Sequence, residues 1–228
     1  MKPAIRIDNL WKQYSQNGKE MAIALSGASM EIAQGEIIAL LGKSGSGKTT
    51  LLNLLAGLDQ PTRGTVEVNG EDLRTLGENG LTLLRRRRLG FVFQFFNLLP
   101  TLTAFENVFL SLELVDRKDR QKALDALMAV GLEGKENRYP YALSGGEQQR
   151  VAIARAIVKG PSIILADEPT GNLDNKTGEQ ILDLLHRQCR SSNTTLVMAS
   201  HSPMTCRYAD RVLRMVDGTV VEETNFRG

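Results

Sequence analysis

Two hydrophobic rhythms run through the chain. Ile5-Arg6-Ile7-Asp8 and Met30-Glu31-Ile32 place an apolar side chain at every second position, the pattern of strands with one buried face. The polar stretch Ser15 to Glu20 lies between them, so an antiparallel edge is expected near the N-terminus. Ile37-Ile38-Ala39-Leu40-Leu41, Ile163-Ile164-Leu165-Ala166 and Thr195-Leu196-Val197-Met198-Ala199 are unbroken apolar runs instead. Runs of this kind predict parallel strands buried on both faces, each followed by a helical pattern. Thr103 to Val130 carries two helical patterns, with apolar spacing at Leu124, Leu127, Met128 and Val130 and no strong strand between them, which reads as a helical insertion. No repeat, low-complexity tract or linker divides the chain. The expectation is a single α/β domain over residues 1–228: a core with a mostly parallel sheet, an N-terminal antiparallel β subdomain and an α-helical subdomain inserted at about 97–158.

Composition narrows the partners. At 42% hydrophobic residues, 228 residues bury one sizeable core. The apolar runs fall far short of the roughly 18 residues of a membrane span, and Met1-Lys2-Pro3-Ala4-Ile5-Arg6 has no apolar signal segment behind it. A net charge of +2 is too small to argue for nucleic acid or an anionic membrane surface as a general partner, and no nucleic-acid partner is expected. The run Arg85-Arg86-Arg87-Arg88 has no aromatics interleaved with it and reads as a solvated helix face rather than a phosphate-binding patch. Cys189 and Cys206 lack metal-ligand spacing and read as ordinary thiols of a reducing cytosol.

The chemistry begins at Gly42-Lys43-Ser44-Gly45-Ser46-Gly47-Lys48-Thr49, which fits G-x-x-x-x-G-K-[ST] and sits between an apolar strand and the helix Thr50 to Ala56. Glycines at these positions let backbone N–H groups turn toward phosphate, and the helix start adds its positive dipole. Lys48 is placed for the β/γ oxygens and the Thr49 hydroxyl for Mg²⁺. At the end of the strand Ile163 to Ala166, adjacent side chains diverge. Asp167 can therefore hold Mg²⁺ while Glu168 orients or deprotonates the attacking water. Leu143-Ser144-Gly145-Gly146-Glu147-Gln148-Gln149-Arg150 offers a second anion site, a hydroxyl and bare N–H groups at the start of the helix Glu147 to Val158. One nucleotide cannot easily use both helix starts of one chain.

Together these three elements resemble the nucleotide-binding subunit of an ATP-binding cassette (ABC) transporter, a P-loop NTPase, over Ile5 to about Glu223. The resemblance implies an ATPase that binds ATP and Mg²⁺ and pairs head to tail as a homodimer. Each signature helix, through Ser144, Gly145, Gly146 and Glu147, would then cap the γ-phosphate on the partner's phosphate loop. It further implies a Q-loop role for Gln94, sensing Mg²⁺ or the γ-phosphate, and a switch role for His201 on that phosphate. Tyr14 corresponds to the aromatic that stacks on adenine; Trp11 competes for that role, but its spacing fits less well and alternation would bury it. Asp174, in Gly171-Asn172-Leu173-Asp174, corresponds to a D-loop carboxylate communicating across the dimer, whereas His186 matches no motif.

Phe93 to Thr103, Glu106-Asn107-Val108 and Leu165 to Asp174 look like the LolD/MacB/FtsE group. Its members work with integral membrane permeases (FtsX/MacB-like) that carry large extracytoplasmic domains, in lipoprotein release, macrolide or peptide export, or control of cell-wall hydrolysis. A cytoplasmic subunit peripheral on the inner face of the membrane follows, without direct contact to the transported substrate. Glu147, where glutamine is commoner, and Ser200-His201-Ser202 depart mildly from the widest pattern. The competing expectations are a soluble ABC ATPase acting on a non-membrane partner and a degenerate cassette that only binds ATP. Lys48, Asp167, Glu168 and His201 together disfavour the second.

Overall fold

A computed structural model describes residues 2–15 and 21–223. Its strands are β1 (Ile5–Ser15), β2 (Met21–Ile32), β3 (Ile37–Leu41), β4 (Arg63–Val68), β5 (Glu71–Asp72), β6 (Leu89–Phe93), β7 (Ile163–Asp167), β8 (Thr195–Ser200), β9 (Arg211–Val216) and β10 (Thr219–Glu223). The α-helices are α1 (Lys48–Leu55), α2 (Glu78–Arg87), α3 (Ala104–Glu113), α4 (Arg120–Ala129), α5 (Gly145–Ile157) and α6 (Asn175–Ser191).

The two rhythms become two sheets. The alternating N-terminal segments form an antiparallel sheet in the order β2-β1-β4-β5, with Ile5 opposite Ile32 and Ile7 opposite Met30. Of the polar stretch Ser15 to Glu20, residues 16–20 lie outside the described residues. The apolar runs form a second sheet, β10-β9-β3-β8-β7-β6, parallel throughout except for β10. Every residue of β3 and β8 is buried, as strands covered on both faces require. The crossovers are α-helical after β3 and β7. The expected helix after β8 is reduced to a short 3₁₀ segment, Pro203–Tyr208, because β9 begins only a few residues later.

Helices α3, α4 and α5 occupy the chain between β6 and β7. Val108, Leu112, Leu127, Val151 and Ile153 share one apolar cluster with Val92, Ile164 and Met198 of the parallel strands. The helical segment is thus seated on the same body as the sheet. Thr103 begins α3 as a reciprocal cap with Glu106, and Asp119 caps α4. Leu124 and Met128 of the predicted periodicity remain exposed, while Leu127 and Val130 are buried. Among the described residues no helix is long and apolar enough to cross a membrane.

The arginine run is only partly a solvated face. Arg86, Arg87 and Arg88 are exposed, but Arg85 donates to the Gly57 carbonyl at 2.8 Å and to Glu78 and Thr82 at 3.0 Å. Trp11 is half-buried rather than covered, its indole Nε1 donating to Asn9 Oδ1 at 2.9 Å. Cys189 and Cys206 are buried and form no disulfide, and burial pushes Cys189 up to about 12. His186 meets Tyr208 edge-on at 6.3 Å, a packing contact.

Candidate functional site

The parallel strands all deliver their C-terminal ends to one edge, and the phosphate loop emerges there between β3 and α1. Two of its glycines are dictated by close approach. At Gly47, with φ 103°, a Cβ would lie 2.4 Å from the Ala24 carbonyl oxygen. At Gly42 a Cβ would lie 2.5 Å from Ser46 Oγ and 2.8 Å from the Met215 carbonyl. Gly45 at φ 79° faces open space, so it serves the turn itself. The loop, with Lys43, Ser44, Gly45, Gly47, Lys48, Thr49 and Thr50, opens on a cavity of about 630 Å³ whose far wall holds Gln94, Glu168 and His201. Gly42 and Ser46 sit behind this lining.

Lys48 is buried, and its ammonium bridges the Gly42 and Lys43 carbonyls at 2.8 and 3.0 Å. The Glu168 carboxylate stands 3.8 Å away. The helix start beyond it has no side-chain cap and no acidic residue in its first turn. Its N–H groups therefore face the cavity without an anion supplied by the chain, the arrangement that favours phosphate.

The two carboxylates diverge as strand geometry requires. Thr49 Oγ1 donates to Asp167 Oδ2 at 2.9 Å, while Asp167 Oδ1 is buried without a hydrogen-bond partner. Burial raises the Asp167 carboxyl above its ordinary value. The Glu168 charge adds to the rise, and the Thr49 bond and Lys48 oppose it. A carboxylate with a free buried oxygen beside a hydroxyl fits a hard divalent cation. Glu168 follows in the left-handed region at φ 47°, a conformation costing about 1–3 kcal/mol for a non-glycine residue. That turn aims its carboxylate at the end of β8. There Oε2 lies 2.9 Å from His201 Nδ1, 3.2 Å from Ser200 Oγ and 3.3 Å from the His201 backbone nitrogen. His201 is otherwise exposed.

Gln94 enters the cavity wall from the turn after β6. Its Nε2 donates to Asn172 Oδ1 at 3.3 Å and its backbone carbonyl accepts from Asn172 Nδ2 at 2.9 Å. This pairs the loops after β6 and β7. Gln149 reinforces the pairing from α5: buried, it donates to the Pro169 carbonyl at 2.6 Å and the Phe93 carbonyl at 3.4 Å, leaving Oε1 unpartnered. Residue-type reasoning on the sequence passed over Gln149. Its position two residues beyond Glu147 on the same helix was the available signal.

Ser144, Gly145, Gly146 and Glu147 do not line the phosphate-loop cavity. Ser144 is the N-cap of α5, accepting from the Glu147 backbone, while Glu147 Oε2 accepts from the Ser144 backbone at 2.9 Å. Glu147 Oε1 also pairs with Lys135. The Lys135 bond, and after it the Ser144 backbone bond, hold the Glu147 carboxyl below its ordinary value. Asp174 is likewise a helix cap, its carboxylate accepting from the Thr177 backbone at 3.0 Å at the start of α6. Tyr14 stands at the rim rather than on the lining. Its hydroxyl donates to Asp59 Oδ2 at 2.7 Å and stands near Thr50, which does line the cavity.

An uncapped helix start behind a glycine-rich loop, a diverging carboxylate pair at the neighbouring strand end, and a second, remote helix start on a mixed sheet define a nucleotide-binding ATPase of the cassette class. The family described as ABC transporter matches residues 25–171. The chain is similar to the lipoprotein-releasing system ATP-binding protein LolD of Pseudomonas syringae pv. tomato, 47% identical over 97% of this chain and 98% of that protein. It is similar to LolD of Geobacter metallireducens as well, 44% identical over 98% of this chain and 100% of that one. Among solved structures it resembles the ATP-binding cassette MJ0796 in a dimeric post-hydrolysis state bound to ADP and Pi, with TM-score 0.88, 41% identity and coverage of 98% and 99%. The chain belongs to the ABC transporter family. It is an ATP-binding subunit of the LolD-like group, and an ATPase.

Proposed function

We propose that this chain is the ATP-hydrolysing subunit of a transporter-type assembly, working as a homodimer on the cytoplasmic face of a membrane. Its partner is a separate permease with a large extracytoplasmic domain. The helical subdomain, about 97–158, and the Gln94 loop carry the motion to that permease.

The observation that carries this reading is the separation of the two helix starts. The phosphate loop, Glu168, His201 and Gln94 share one cavity, and Ser144 to Glu147 lie off it. The signature group therefore serves a triphosphate held by a second copy. In each site Lys48 and the bare N–H groups of the α1 start bind the phosphates. Thr49 and Asp167, with Gln94 beside them, would hold Mg²⁺, which would supply charge neutralisation at the β- and γ-phosphates. Glu168 accepts the proton of the attacking water, held at that angle by Ser200 and the His201 backbone. The His201 ring, exposed at the mouth, donates to the γ-phosphate. Asp174, the N-cap of α6, faces the twin subunit.

Glu168→Gln tests this directly. The variant should retain ATP affinity, lose turnover and sediment as a dimer in saturating MgATP, whereas wild type returns to monomer as it hydrolyses. A variant that stays monomeric under those conditions rules out the paired arrangement. Purification of the wild type from native membranes in mild detergent tests the permease: co-purification with ribosomes, DNA or soluble factors alone would reject it.

A further inference from the structure

Tyr14 is held by a clamp that none of the nucleotide-binding motifs contains. Its hydroxyl donates to Asp59 Oδ2 at 2.7 Å. The other oxygen of that carboxylate accepts from Lys12 Nζ at 2.6 Å and from the Gln60 backbone at 2.7 Å. Lys12 is further fixed by the Gln60 carbonyl at 2.8 Å, and its ammonium stands 4.8 Å from the centre of the Tyr14 ring. The cation thus occupies one face of the ring, and the side chain keeps 39% of its surface open.

The clamp has electrostatic weight. Burial opposes ionisation of Asp59, but the bonds from Lys12, Tyr14 and the Gln60 backbone outweigh it and hold the carboxyl below its ordinary value. Burial, and then the bond to Asp59, raises the Tyr14 phenol, so the hydroxyl remains a donor. The Lys12–Asp59 pair is mostly covered, with side chains 12% and 28% exposed. An ion pair of this kind keeps its geometry where a surface pair would fray.

Its location gives it a use. Asp59 follows the C-terminal end of α1, whose first residues are Lys48, Thr49 and Thr50. A helix of eight residues is about 12 Å long. The clamp therefore ties the aromatic ring of β1 to the same rigid rod that carries the phosphate loop. We propose that Asp59 and Lys12 are positioning residues for the nucleotide base: they lock the Tyr14 ring, one face backed by the ammonium, so that its other face meets adenine at a fixed separation from the phosphates. The inference rests on Tyr14 being the base platform.

The test separates base from phosphate. Affinities for MgATP and for inorganic tripolyphosphate, which has no base, are measured calorimetrically on wild type, Tyr14→Ala, Asp59→Ala and Asp59→Asn. Tyr14→Ala should weaken MgATP about tenfold, the loss of one stacked base. Asp59→Ala should weaken it about fivefold, and tripolyphosphate should bind all four proteins alike. Tyr14→Ala combined with Asp59→Ala should be no weaker than Tyr14→Ala alone, because the clamp acts only through the ring. Asp59→Asn keeps an acceptor for the hydroxyl and guards against misfolding of the alanine variant; it should fall between wild type and Asp59→Ala. A normal Tyr14→Ala affinity overturns the platform and the clamp together. A weak Tyr14→Ala beside normal Asp59 variants leaves the platform standing and overturns the clamp. Equal loss of both ligands in the Asp59 variants makes Asp59 a structural tie, which also overturns it.

Discussion

Two helix starts in this molecule are built from similar residues and finished in opposite ways. At α1 the N-cap is Gly47, no side chain caps the helix and no acid stands in the first turn. At α5 the N-cap is Ser144, locked with Glu147 in a reciprocal box, and Glu147 is tied in turn to Lys135. The first start is incomplete without an anion from outside. The second is complete as it stands, yet the box uses only the backbone N–H groups of Ser144 and Glu147. Those of Gly145 and Gly146, and the proton of the Ser144 hydroxyl, are not consumed by it. A start that waits for a ligand suits the primary phosphate cradle. A self-supporting start with spare donors suits a surface that engages a phosphate already bound elsewhere.

The largest effect should come from Lys48, whose charge belongs to the unfinished start. Lys48→Ala should lower ATP turnover by about 10²–10³-fold, measured as phosphate release, by the scale of removing one preorganised donor. Ser144→Arg should abolish turnover too, by placing a bulky cation on the second start, while leaving MgATP affinity of the isolated subunit unchanged. Mixing the two dead proteins sharpens the contrast. If the starts act across a dimer, each mixed pair holds one intact combination of phosphate loop and signature. Activity should then return to about a quarter of wild type, half the dimers being mixed with one site restored in each. No recovery in the mixture would mean that both starts act within one chain.

How much of this was legible differs between the regions for physical reasons. The phosphate loop, the buried parallel runs and the two insertion helices announce themselves because each is local: a motif, an apolar run, a 3.6-residue period. The segments that became β4, β5, β9 and β10 carry a local turn signal in Asn69-Gly70 and Asp217-Gly218, but the sheet each hairpin joins depends on strands far away in the chain. The Asp59 clamp was invisible for the same reason, joining positions 45 and 47 residues apart. Arg85 reads as a surface residue until the Gly57 carbonyl, 28 residues away, is folded against it. The divergence of Asp167 and Glu168 follows from strand geometry, but the left-handed turn that aims Glu168 at His201 does not.

A smaller effect tests the self-supporting start by itself. Glu147→Ala removes the box and the Lys135 pair together, at about 1 kcal/mol for a lost cap. In a chain of this length that should lower Tm by about 2–4 °C. Glu147→Gln keeps an acceptor for the Ser144 N–H and should recover most of the loss. If Glu147→Ala melts like wild type, the box is not what holds the second start.

The smallest expected effect bears on the unfinished side and has a definite pH sign. The Asp167 carboxyl sits above its ordinary 3.8 in the folded protein, first through burial and then through the Glu168 charge. The folded state therefore holds this proton more tightly than the unfolded chain does. Ionising Asp167 costs stability, a cost absent below pH 3.8 and complete once pH exceeds the raised folded value. Asp167→Asn keeps an acceptor for Thr49 and removes the charge. Without nucleotide the variant should melt above wild type at pH 7, and the gap should close as pH falls toward 4. In MgATP the order should reverse, because only the carboxylate draws stabilisation from the bound cation. A nucleotide-free variant that melts below wild type at pH 7 would mean that Asp167 is already satisfied within the chain. The start of α1 would then be the only part of the site that depends on the ligand for its completion.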